Sequence, residues 1–150
     1  MKRVAMLVFA LALVLALAAP AEAQWVRDQV RSAFVGPGQE VVEVMRGQDV
    51  RDTFAEIDPD LVVLDLQIGN MGGVAVAIDL RNEESGGRAP RARILLLLDR
   101  RDDAFIARRA DVDLTLVKPV DAGILRRAAA PLLADAAAER AELDDEPATS

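Results

Sequence analysis

Cysteine and histidine are both absent from the 150 residues. Without cysteine there is no disulfide, no thiol nucleophile and no thiolate-bound zinc. Without histidine there is no imidazole general base, no phosphohistidine, and little that suits a transition metal. Aromatic residues make up only 3% of the chain, so the core must rest on Val, Leu, Ile and Ala. Positive charge is in deficit. The 18 Lys and Arg residues face 25 Asp and Glu, for a net charge of −7. That balance argues against a chain that grips a nucleic-acid backbone by itself. The ionisable chemistry left is carboxylate, Lys and Arg, and a hard cation such as Mg²⁺ is the metal that suits it. What is present is globular: 52% hydrophobic and 29% charged residues, in a length that allows one domain with an adequate core.

The first 24 residues admit two readings. Lys2 and Arg3 precede an unbroken apolar run from Val4 to Ala19, and Ala21-Glu22-Ala23 fits an A-x-A cleavage pattern. That is the form of a secretory signal peptide. As a helix, 16 residues cover roughly 24 Å against about 30 Å of hydrocarbon, which is short for a membrane span.

From Gln24 onward the periodicity alternates. Val26, Val30 and Phe34 recur at helical spacing and predict a helix over 25–35, ended by Gly36-Pro37-Gly38. Glu40 to Val44 reads as a strand. Val50, Phe54 and Ile57 predict a helix over 48–57, which the residue before Pro59 terminates. Leu61-Val62-Val63-Leu64 is a continuous apolar strand of the kind covered on both faces, with Asp65 at its end. A glycine-rich loop through Gly69-Asn70-Met71-Gly72-Gly73 leads to a helix from Val74 to about Asn82. Ile94 to Leu98 is a second buried strand, ending at Asp99. Asp102 or Asp103 can cap a helix through Ala110. Leu114 to Val117 is a third buried strand, followed by Lys118-Pro119. Asp121 can cap a last helix from Ala122, with a kink or restart expected at Pro131. Residues 137–150 read as an acidic, frayed tail.

Alternating strands and helices with short connections predict an α/β fold, a parallel sheet with helices on both faces. Ligands in such sheets bind beyond the carboxyl ends of the strands. Asp65, Asp99 and Lys118 each follow a predicted strand, so all three belong at one edge. A carboxylate there can attack a phosphoryl group and hold it as an acyl phosphate. Lys118 can supply the balancing cation, and Gly69, Gly72 and Gly73 let the loop backbone approach closely.

The stretch Asp58-Pro59-Asp60-Leu61-Val62-Val63-Leu64-Asp65, the loop through Asn70-Met71-Gly72-Gly73 and the Val117-Lys118-Pro119 ending together resemble the bacterial two-component response-regulator receiver family. The resemblance covers roughly 25–133. It is closest to a stand-alone, actinobacterial-like member with a divergent pocket. It implies a doubly wound, flavodoxin-like sheet of five parallel strands in the order 2-1-3-4-5. It implies Asp65 as phospho-acceptor, Lys118 as the phosphoryl contact, and a cis bond before Pro119. It implies Mg²⁺ held by Asp65, by the backbone carbonyl of Gln67, and by an acidic pair of which only Glu22 remains, so the site is weakened. It implies a sensor histidine kinase or small phosphodonor as one partner and an output protein as the other, with no direct nucleic-acid contact. Two modulating positions depart from the family: Asp99 stands where Ser or Thr is usual, and Thr115 where an aromatic residue is usual.

The first strand of that family is central. Cleavage after Ala23 would delete it, so the resemblance favours retention of the N-terminus and a cytoplasmic location. Val14 to Ala18 is then the expected first strand, residues 1–13 an apolar arm, and 14–136 the domain. Export or membrane anchoring through residues 1–23 is the alternative. Two further functional readings stand beside the phosphorylated switch. One is a phosphate-independent interaction module, since Asp99 facing the pocket would repel a phosphoryl group. The other is a phosphatase of the haloacid dehalogenase type, which is disfavoured. That type carries a second Asp two residues past its nucleophile, where this chain has Gln67. The expectation is therefore a switch and not an enzyme.

Overall fold

The computed structural model describes residues 9–14, 20–67 and 72–145, with side chains from residue 24 onward. Five strands form one parallel sheet: β1 (Phe9–Val14), β2 (Gln39–Val44), β3 (Leu61–Asp65), β4 (Ile94–Leu98) and β5 (Leu114–Val117). Their order is β2-β1-β3-β4-β5. The crossovers are α1 (Pro20–Phe34), α2 (Val50–Ile57), α3 (Gly73–Ser85) and α4 (Ala104–Arg109), and α5 (Ala122–Asp145) follows β5.

Side-chain alternation divides the core between the two faces of the sheet. Leu61 and Val63 of β3 and Leu95 and Leu97 of β4 pack with Val30 and Phe34 of α1 and Leu125 and Ala129 of α5. Val62, Leu64, Leu96 and Leu98 face the other way, against Phe54 of α2, Leu80 of α3 and Ala107 of α4. Every residue of β3 and β4 is buried. This is why those two strands read as unbroken apolar runs. Each buried Leu or Val side chain contributes on the order of 1.5–3 kcal/mol, which offsets the scarcity of aromatic rings.

Two expectations are corrected. The first strand is Phe9–Val14, not Val14 to Ala18. Val14 lies opposite both Val44 and Leu64, so β1 ends level with its neighbours. Helix α1 then begins at Pro20, whose fixed φ and missing N–H suit a first helical position. A strand running to Ala18 would leave one residue for the crossover. The sheet therefore takes in residues 9–13, where the sequence predicts an apolar arm. The second correction is at the other end. Helix α5 passes through Pro131 without a break and continues to Asp145, so most of the expected frayed tail is helical. Ala136 is buried, and ion pairs of 2.6 Å from Arg140 to Asp60 and from Arg93 to Glu139 anchor the later turns.

Candidate functional site

The parallel register brings the three strand ends together. Asp65 closes β3 opposite Leu97 of β4. Lys118 follows β5, with its backbone N–H donating to the Leu98 carbonyl of β4 at 2.8 Å. Asp99 is the next residue along β4. The start of α3 lies close to the end of β3: the Gly73 N–H donates to the Leu66 carbonyl at 3.0 Å. A Cβ at Gly73 would collide with the carbonyl oxygen of Asp65, and Gly72 has a φ of +25°. Both positions need glycine for α3 to start this close to the acceptor strand.

The Asp65 carboxylate is buried, and Lys118 Nζ donates to both of its oxygens, at 3.0 and 3.1 Å. The backbone N–H of Gln67 donates to Asp65 Oδ1 at 2.9 Å. Asp99 turns into the same cluster: one oxygen lies 2.6 Å from Lys118 Nζ, and the other accepts from Gln67 Nε2 at 2.9 Å. One ammonium is thus shared by two carboxylates, and one glutamine touches both. Burial pushes the Asp99 carboxyl up, but the hydrogen bonds from Lys118 and Gln67 outweigh it and hold it below the ordinary aspartate range. Burial likewise pushes the Lys118 ammonium down, but its bonds to Asp99 and Asp65 hold it above the ordinary lysine value. Lys118 is therefore a fixed cation at neutral pH.

A cavity of about 670 Å³ opens beside this cluster. Pro119, joined to Lys118 by a cis peptide bond, lines it. Thr115 sits in β5 opposite Leu96 and does not line it. Five lining residues carried no sequence signal as site residues: Trp25 and Val26 of α1, Leu66 just after β3, and Arg100 and Asp103 next to α4. The Gln67 side chain was also missed, because the resemblance implicates only its backbone. No local pattern marks a glutamine that reaches across to the next strand.

Mg²⁺ takes one or two carboxylates and keeps several waters. Asp65 and the Gln67 carbonyl are oxygen donors of the right kind, Asp99 is a second carboxylate beside them, and the cavity has room for a hydration shell. The donor chemistry fits a hydrated cation. Glu22 is the first carboxylate after β1 but lies eight residues past Val14, inside α1. Its side chain is outside the described residues. Among the described residues no group of three or more Asp or Glu converges on a metal-sized space.

The response regulator receiver domain family matches residues 22–130. No curated protein matches the chain. Among solved structures it is similar to the receiver domain of the sensor histidine kinase PA1611 from Pseudomonas aeruginosa PAO1, which has a magnesium ion coordinated in its active-site cleft. That likeness has 20% identity and a TM-score of 0.67, over 83% of this chain and 97% of that one. It is similar to a LuxR-family two-component response regulator from Aurantimonas sp. SI85-9A1 at 26% identity and a TM-score of 0.65, over 91% and 98%. It is also similar to the BeF3-activated N-terminal receiver domain of Klebsiella pneumoniae RstA, at 20% identity and a TM-score of 0.64, over 83% and 97%.

Proposed function

The chain belongs to the response regulator receiver domain family of two-component signalling, and from that premise we propose that Asp65 accepts a phosphoryl group from a sensor histidine kinase or a small phosphodonor. The observation that carries the reading is the placement of Lys118 Nζ against both oxygens of a buried carboxylate at a strand end. An Asp65 oxygen attacks phosphorus, the bond from phosphorus to the donor atom breaks, and the leaving group departs with the electron pair. Lys118 holds the carboxylate in place beforehand and then balances charge on the phosphoryl oxygens. Asp65, the Gln67 carbonyl and Glu22 would hold Mg²⁺ in a weakened site, and the bound cation would neutralise phosphoryl charge. Position 67 offers an amide where a turnover enzyme would need an acid or base, so the domain is a switch and not a phosphatase. The test is incorporation of label from a phosphodonor such as acetyl phosphate with Mg²⁺. The parent chain should take up label and Asp65→Asn should not; equal labelling of the two refutes the assignment.

Output through a protein partner is supported by the net charge of −7 and by Phe105 and Ile106, which α4 leaves exposed. Retention of the N-terminus and a cytoplasmic location are supported by the central place of β1, which pairs with both β2 and β3. No helix among the described residues is long and apolar enough to cross a membrane. An intact mass that begins at Gln24 would sink retention. A second reading, a module that binds its partner without phosphate, is favoured by the 2.6 Å contact between Asp99 and Lys118.

A further inference from the structure

We infer that Asp99 determines what the pocket accepts: its carboxylate is a built-in anion that occupies Lys118, so the cavity favours a cation and resists a phosphoryl group on Asp65. This rests on the reading of Asp65 as the acceptor.

Three observations carry it. Lys118 Nζ is closer to Asp99, at 2.6 Å, than to either oxygen of Asp65, at 3.0 and 3.1 Å. Asp99 is also held from a second direction by Gln67 Nε2 at 2.9 Å, so it is fixed in the cluster and not swinging in solvent. Finally, the charges do not balance. Two carboxylates face one ammonium, and the other charged groups lining the cavity, Arg100 and Asp103, offset each other. Among the described residues the cluster carries a net charge of −1 before anything binds. A phosphoryl group brings about −1.5 to −2 in charge. To contact Lys118 it must share or displace Asp99. The same field draws a cation inward. Asp99 therefore acts with opposite sign on the two ligands. A residue that merely filled space, or merely held the loop, would not.

Trp25 is the only tryptophan in the chain and lines the cavity, so its emission reports occupancy. The full chain is titrated first with Mg²⁺ alone, and then with trifluoroberyllate at saturating Mg²⁺. For Asp99→Asn we expect Mg²⁺ to bind several-fold more weakly and trifluoroberyllate to bind at least about tenfold more tightly, as removal of a unit charge a few ångströms away implies. Asp99→Thr serves as a second neutral variant should the asparagine form fold poorly. Asp52→Asn, an exposed change on α2, controls for net charge and should move neither titration. The inference is overturned if both ligands shift in the same direction, if trifluoroberyllate affinity is unchanged in both neutral variants, or if Asp52→Asn reproduces the effect. Asp65→Asn separates the two ideas. Undiminished trifluoroberyllate binding in that variant overturns the acceptor reading, and this inference with it. Loss of binding there, without gain in the Asp99 variants, overturns this inference alone.

Discussion

Replacing Arg140 with alanine should destabilise the fold by about 1–3 kcal/mol. The guanidinium lies 2.6 Å from Asp60, whose side chain is only 3% exposed, and it also donates to the Asp58 carbonyl. Removing it strands a buried carboxylate at the start of β3. Breaking a fully buried pair costs roughly 3–5 kcal/mol. The Arg140 side chain is 45% exposed, so water can reach the vacated space. The cost then falls toward the roughly 1–3 kcal/mol of an unsatisfied buried acceptor. Urea unfolding of the full chain, followed by helical circular dichroism, measures this directly. With a slope of about 1–3 kcal/mol per molar, the midpoint should drop by on the order of 1 M. Asp60→Asn removes the stranded charge, so the double variant should recover part of the loss. A midpoint within about 0.2 M of the parent at unchanged slope would refute the reasoning, and with it the view that α5 is tied down beyond residue 137.

The Lys118 ammonium is raised by its two carboxylates, so its contribution to stability is fully present below the ordinary lysine pKa and is lost as pH rises through the higher folded value. Lys118→Met should abolish that alkaline loss in a melting-temperature series, and an unchanged alkaline limb would refute it. Gly73→Ala drives a methyl group into the Asp65 carbonyl. It should cost about 1–3 kcal/mol in thermal melts, and a variant as stable as the parent would show that α3 can back away from the acceptor strand.

Much of the fold was legible because the sheet is parallel and covered on both sides. Ile94–Leu98 was readable to the residue as a continuous apolar run bounded by charge. The bounds of Leu114–Val117 were readable from its flanking charges too, but as an edge strand it is half-buried with Val117 exposed, not the third buried strand expected. The Asp121 cap was readable too, and Asp121 Oδ1 accepts from the Ile124 N–H at 2.8 Å. The site was legible at its strand ends, because topology places Asp65, Asp99 and Lys118 side by side whatever the loops do. β1 was not. It lies in an apolar run longer than the strand, where composition carries no register; the register comes from pairing with β2 and β3. The end of α5 was misread for a related reason. Its anchors are charges that meet residues 46 and 80 positions away, and a charge-rich terminus looks solvated until those partners are known. The direction in which Asp99 points was left open by the sequence, and it is decided by Lys118 and Gln67, neither of them adjacent to it in the chain.

The two edges of the sheet use the same residue types for opposite ends. At the amino edge, a set of charges among the described residues serves the starts of strands. Asp113 accepts from the Ile94 N–H at 2.7 Å and pairs with Arg81 at 2.8 Å. Arg81 also donates to the carbonyls of Ala92 and Asp111, so the entries to β4 and β5 are tied to α3. Arg140 does the same for β3 through Asp60. These groups satisfy backbone donors and acceptors that the sheet leaves open where its strands begin. At the carboxyl edge, Asp65 and Asp99 have no such duty. Apart from the Gln67 N–H on Asp65, their partners are side chains, and those partners can be exchanged for a cation or a phosphoryl group without undoing a strand. With strand starts fixed by charge at one edge, the other edge can keep two carboxylates crowded on a single ammonium, where an exchange of partners undoes no strand.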